Sequence, residues 1–195
     1  MVGPLISARP SGAPALVRRK SLIGFRAASE QTWGEAGIAA ISRALPEAVR
    51  ERTVGLRPLP AWIPLDDLIA WHVAVWNGPA QQDEVVMTRH ARLTVDQGFG
   101  RVKRVMIAAL SPHGLAARVG PLWREEYSTG RLETLALDEH SVQLLLTQHK
   151  YVEIPLMRLI IVEAYRHVLG MTRARDVTAS YALVDGALRV ILRWR

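Results

Sequence analysis

The dipeptide Asp185-Gly186 stands between DVTASYALV and ALRVILRWR. A two-residue link of this kind accepts the positive φ angles of a tight hairpin turn, which most other pairs resist. In the second run Leu188, Val190, Leu192 and Trp194 alternate with Arg189, Ile191, Arg193 and Arg195, giving one apolar face and one mostly charged face. A period of two with one wet face is the signature of an antiparallel pair lying on a core. RLETLALD and SVQLLLTQ, with a turn at Asp138 to His140, read as a second such pair. Between the pairs, Pro155 opens a helical spacing that runs to about Leu169, and Gly170 ends it. The C-terminal half is therefore β-β-α-β-β.

Ahead of Gly130 the period is helical. Glu35 to Leu45 carries Ile38, Ile41, Ser42 and Leu45 along one side, and Pro46 ends that helix or opens a short one through Val54. Pro64 starts a helix with Asp66 and Asp67 in its first turn and Leu65, Leu68, Ile69, His72 and Trp76 on one face. Trp71 points away from that stripe, which marks it as a candidate dimer face or groove. Helical spacing resumes over residues 80–96 and continues to Leu110, and Ser111-Pro112 caps a further helix with Leu115, Val119, Leu122 and Trp123 on its face. SLIGFRAA at 21–28 reads as a short strand. Segregated helices and an antiparallel sheet predict an α+β fold, an N-terminal helical layer packed on a C-terminal sheet.

With 195 residues and no seam, the chain predicts one domain, residues 21–195, behind a basic disordered tail over 1–20. The net charge of +7 is concentrated at the start, where Arg9, Arg18, Arg19, Lys20 and Arg26 meet no acid before Glu30. The remainder sets 18 acids against 20 bases, so no nucleic-acid partner is expected. Charges or prolines interrupt every apolar run short of the roughly 18 residues of a membrane span, and no secretory signal pattern is present. The absence of cysteine excludes disulfides, thiolate zinc sites and cysteine nucleophiles, and the expected location is cytoplasmic.

The segment YSTGR at 127–131 places a phenol, a hydroxyl and a guanidinium on alternate positions at Tyr127, Thr129 and Arg131, a donor set able to hold carboxylates. Gly130 also suits a simple helix-to-strand turn. The histidines at 72, 90, 113, 140, 149 and 167 show no metal-ligand spacing, and no metal site is predicted. His72 lies on an apolar face, where a hydrogen-bonded core histidine is the ordinary case. No nucleophile elbow, phosphate-binding glycine loop or distinctive pair of acids occurs, and the chain is expected not to be an enzyme.

The order of these features, with GFRAA and TWGEAGIAAISRALPEAVR, LPAWIPLDDLIAW, PLWREEYSTGRLE and ARDVTASY…DGALRVILRWR, resembles an uncharacterised family of roughly this length that is expanded in myxobacteria. That family is similar in turn to the superfamily of H-NOX sensor domains, four-vinyl-reductase-type domains and TRAPP subunits, whose members bind haem, bind apolar groups or assemble with partners. The resemblance covers nearly everything from Ser21 onward and implies the fold more strongly than the chemistry. In H-NOX domains a Tyr-x-Ser-x-Arg motif holds the haem propionates, so the resemblance implies that role for Tyr127, Thr129 and Arg131 if haem is bound. The expected axial histidine has no counterpart in DQGFGRVKR, which leaves His90 or His113 as displaced candidates.

The resulting expectation is a non-enzymatic sensory or adaptor domain in bacterial signalling, holding a small apolar ligand or a protein partner. A pocket between helical layer and sheet is expected to be lined by Trp76, Met106, Trp123 and Leu146. No cofactor is expected; haem is the alternative. A third reading is a purely structural homodimer that uses Trp71 and has a filled core.

Overall fold

The computed structural model describes residues 14–54 and 58–195. The chain enters through β1 (Leu16–Arg18), which pairs antiparallel with β2 (Trp62–Pro64) so that Val17 faces Ile63. The other edge of β1 bridges Val17 to Tyr127. Ser128 closes that edge: its N–H donates to the Leu16 carbonyl (2.9 Å) and its hydroxyl accepts from the Leu16 N–H (2.8 Å). Residues 16–20 thus belong to the folded body, ahead of the boundary expected at Ser21, while residues 1–13 lie outside the described range.

Helix α1 (Arg19–Ala44) includes SLIGFRAA, the expected strand, and is interrupted at Gly34, where φ is 65°. The helix prevails there because Leu22, Phe25, Ala28 and Ser29 fall three or four apart and are all buried. Helices α2 (Glu47–Val54), α3 (Leu65–Asn77), α4 (Glu84–Gly98), α5 (Arg101–Ala108) and α6 (Pro112–Glu126) follow. The Asp83 side chain caps α4 by accepting from the N–H groups of Val85 and Val86, and the Ser111 hydroxyl caps α6 by accepting from Gly114. α7 (Pro155–Gly170) lies between the two hairpins in sequence, preceded by a single 3₁₀ turn at Lys150–Val152.

β3 (Arg131–Asp138), β4 (Ser141–Thr147), β5 (Thr178–Val184) and β6 (Ala187–Arg193) form an antiparallel sheet in the order β3-β4-β6-β5. Asp185 and Gly186 turn the second hairpin with φ of 50° and 74°, the left-handed pair its sequence demands. The alternation places Val142, Leu144 and Leu146 of β4 with Leu188, Val190 and Leu192 of β6 on one buried face. α6 packs on β3 and α7 on β5 and β6, while α4 packs on both α1 and α7. The architecture is therefore the expected α+β arrangement, with α6 and α7 between the N-terminal helices and the sheet.

Trp71 is not at the surface. α3 is covered by α1, α2 and β2, so its buried arc widens to include Trp71, fully enclosed, with its indole N–H donating to the Thr53 hydroxyl at 2.9 Å. Trp76 is half-buried at the far end of the same helix.

Candidate functional site

A cavity of about 240 Å³ lies among the helices. Its walls repeat the three-and-four spacing of each helix: Leu68 and His72 from α3, Lys103 and Ile107 from α5, Leu115 and Val119 from α6. α4 presents Ala91, Val95 and Gly98, and α7 presents Ile161, Ala164 and Tyr165. The space persists because these two packed helices turn small residues, Ala91, Gly98 and Ala164, toward a volume their neighbours do not fill.

The lining is mostly apolar but carries three phenols. Tyr127 caps the end of α6, its N–H donating to the Trp123 carbonyl at 2.8 Å and its ring stacking on Trp123 with centroids 4.1 Å apart. The Tyr151 ring meets the Tyr127 ring edge to face, with centroids 5.7 Å apart. The Tyr165 hydroxyl is buried and has no hydrogen-bond partner among the described residues. Burial holds all three phenols well above the usual tyrosine range, so each remains a neutral hydroxyl. His72 is buried at the wall with its Nδ1 likewise unpartnered, and burial, with His90 nearby, lowers its pKa to about 3. It is a neutral imidazole, and the satisfied core contact expected of it is missing at that atom.

One end of the cavity reaches solvent at Lys20, whose side chain is half-exposed. Lys20 Nζ pairs with Glu126 Oε2 at 2.7 Å, and the Ser21 hydroxyl donates to Glu126 Oε1. Lys103 completes this rim, its ammonium 4.1 Å from the centroid of the Phe99 ring.

The YSTGR residues do not converge on the cavity. Tyr127 lines it; Thr129 and Arg131 do not. The Thr129 carbonyl accepts from the Trp123 indole at 3.1 Å, and Arg131 is exposed and pairs with Glu133 on its own strand. Gly130 takes φ of 81° and passes so close to His149 that an added Cβ would stand 2.9 Å from that residue's Cβ. Its segment is thus a turn whose backbone pairs with β1 and whose glycine admits His149.

Neither displaced axial candidate reaches the cavity, although the buried Nδ1 of His90 has no partner among the described residues. The His90 ring meets the Ser29 hydroxyl through Nε2 at 2.9 Å, and that hydroxyl already donates to the Phe25 carbonyl, so Nε2 carries the proton and donates. Trp33 stacks on His90 with centroids 4.9 Å apart. His113 bonds the Asp138 carbonyl at 3.0 Å and meets the edge of Trp194. Neither lines the cavity, and with Arg131 turned to solvent these residues do not fit haem in the way the resemblance implies.

Of the expected pocket residues, Trp123 lines the cavity and Trp76, Met106 and Leu146 do not. Met106 is 64% exposed, because α5 turns Lys103 and Ile107 inward, four apart, and Met106 outward. Leu146 is buried in β4, in the sheet that α6 and α7 cover, and does not reach the space. The sequence marks Lys20 only as part of a basic tail, and nothing in it singles out Lys103, Tyr151 or Tyr165. Tyr165 is legible only as one position on the apolar face of α7, and nothing local distinguishes Lys103 from a solvated lysine.

No protein-family model and no curated protein matches this sequence. Solved structures do match. An oxygen-binding H-NOX domain related to soluble guanylate cyclases, in its oxygen complex, superposes with a TM-score of 0.63 at 11% identity over 89% of this chain and 93% of that one. An H-NOX protein from S. oneidensis in the Fe(II)NO ligation state gives 0.66 at 8% identity over 91% and 99%. A Cs H-NOX mutant carrying 4-cyano-L-phenylalanine gives 0.64 at 10% identity over 91% and 96%. With so little shared sequence, what the chain has in common with these proteins is the H-NOX fold.

Proposed function

We propose that the chain is a non-enzymatic sensory domain that uses an H-NOX fold to bind a small apolar ligand in the helical cavity. The observation that carries this reading is the cavity itself: about 240 Å³ of largely apolar space bounded by α1 and α3 to α7 and open at one end, in a fold whose solved examples bear oxygen and NO. A purely structural module has no use for such a space and predicts a filled core. The placement of Thr129, Arg131, His90 and His113 outside the cavity favours a ligand other than haem. Occupation would stabilise the helical body by mass action, and changes in the α4–α7 packing would report it to a partner.

Native mass spectrometry and a visible absorption spectrum on protein purified without denaturation test this. An added mass without a Soret band, or a raised Tm with decan-1-ol, is the expected result. A Soret band after expression with adequate haem would overturn the reading in favour of haem. A bare mass with no thermal shift would overturn it altogether.

A further inference from the structure

The rim of the cavity carries two ammonium groups, of which one forms an ion pair. Lys20 and Lys103 both line it, with Glu126 as the acid lining the same space. Both oxygens of Glu126 are engaged, one by Lys20 and one by the Ser21 hydroxyl. Lys103 has no carboxylate within ion-pair distance among the described residues; its ammonium rests on the Phe99 ring. Partial burial and then Lys20 push its pKa down, against the opposing pull of Glu126 and Glu125, which do not offset them. Between rim and floor the surface is Val95, Ile107, Val119, Ile161 and Val168, with nothing to hold a polar chain. At roughly 30 Å³ for each water-sized group, a space of about 240 Å³ corresponds to about eight such groups.

We infer that the ligand is a single-chain anionic amphiphile, its carboxylate or phosphate head between Lys103 and Lys20 and its chain threaded between α4, α6 and α7. An ammonium reads either head as a point charge, so the two share one chemistry. Selectivity resides in the rim, and the apolar wall is indifferent to the head. This inference rests on the cavity being a ligand site, and the following test separates the two.

Stripped protein is titrated by calorimetry with decanoate, decyl phosphate, decan-1-ol and decyltrimethylammonium. One or both anions are expected to bind at least about tenfold tighter than decan-1-ol, and the cation more weakly than the alcohol; the stronger anion identifies the head. Lys103→Gln, checked for folding by circular dichroism, is expected to bring anion and alcohol to within about twofold of one another. Equal or better binding of decan-1-ol, or a preference that survives Lys103→Gln, overturns the inference and leaves the cavity function standing. Failure of all four to bind overturns both.

Discussion

At the scale of single residues, the two positions with the clearest consequences are Tyr165 and Gly130. A hydroxyl buried without a partner costs about 1–3 kcal/mol relative to its solvated state. Removing the Tyr165 hydroxyl therefore leaves the ring in place and relieves that cost. The ligand-free Tyr165→Phe variant is expected to melt at or above the wild-type temperature; a clear drop in Tm would show that the hydroxyl is bonded. Gly130 has the opposite sensitivity. At φ 81°, a Cβ is strained by its own backbone and collides with His149. Gly130→Ala is expected to lose about 2–4 kcal/mol in urea denaturation. An unchanged urea midpoint would mean that the turn and His149 yield freely.

At the scale of elements, the fold depends on how α4 and α7 are joined, since both line the cavity. Glu163 on α7 accepts from Arg92 on α4 and from Arg166 within its own helix (2.6 and 2.9 Å), and His167 on α7 meets Asp96 on α4 at 3.0 Å. Burial raises the Glu163 pKa, but the Arg166 and Arg92 hydrogen bonds outweigh it and hold the carboxylate below its usual range. Its contribution to stability is thus present above the unfolded glutamate pKa and lost as pH falls through the folded one. Glu163→Gln keeps the shape and removes the charge, and should cost about 1–3 kcal/mol by thermal or urea melting. Helix α3 shows how an element's surroundings redefine its faces. Trp71→Asp, which would dissociate a dimer if Trp71 were exposed, should instead unfold the helical layer, because the indole is enclosed and bonded to Thr53. A folded, soluble variant in circular dichroism would contradict that.

For the molecule as a whole, three buried histidines set the acid limit. Burial lowers the pKa of His72 to about 3 and of His90 and His149 to about 4. In the unfolded chain each titrates near 6.5. The unfolded state therefore takes up protons first as pH falls below about 6.5. Stability is full above that pH and declines toward pH 4, by up to about 1.4 kcal/mol per pH unit for each histidine. The urea midpoint should fall steeply between about pH 6.5 and pH 5, before most carboxylates titrate, and His90→Gln should flatten the slope. A midpoint that stays level over that interval would mean that these imidazoles are solvated. His90 matters most for the helical layer, where it touches Phe25 and Trp33 and bonds Ser29.

The features legible along the chain are local ones. The Asp185-Gly186 turn, the alternation of β6, the proline starts of α3, α6 and α7 and the change of period after Gly130 each follow from backbone preferences within a few residues, and together they define the α+β order. The strand expected at SLIGFRAA fails because a short apolar run has no period of its own; α4 and α3 packing on α1 turned it into a helix. The motif at Tyr127, Thr129 and Arg131 was visible as spacing, but its use as a turn depends on β1, some 110 residues earlier, taking the edge beside Ser128. Only tertiary structure decided the site. The cavity comes from Ala91, Gly98 and Ala164 meeting across two helices, and its rim from Lys20, Lys103 and Glu126 meeting across three. A void is a volume that distant side chains jointly leave unfilled, and whether a lysine finds an ion-pair partner depends on what the fold brings to it. Neither is a property of any segment, so neither can be read along the chain.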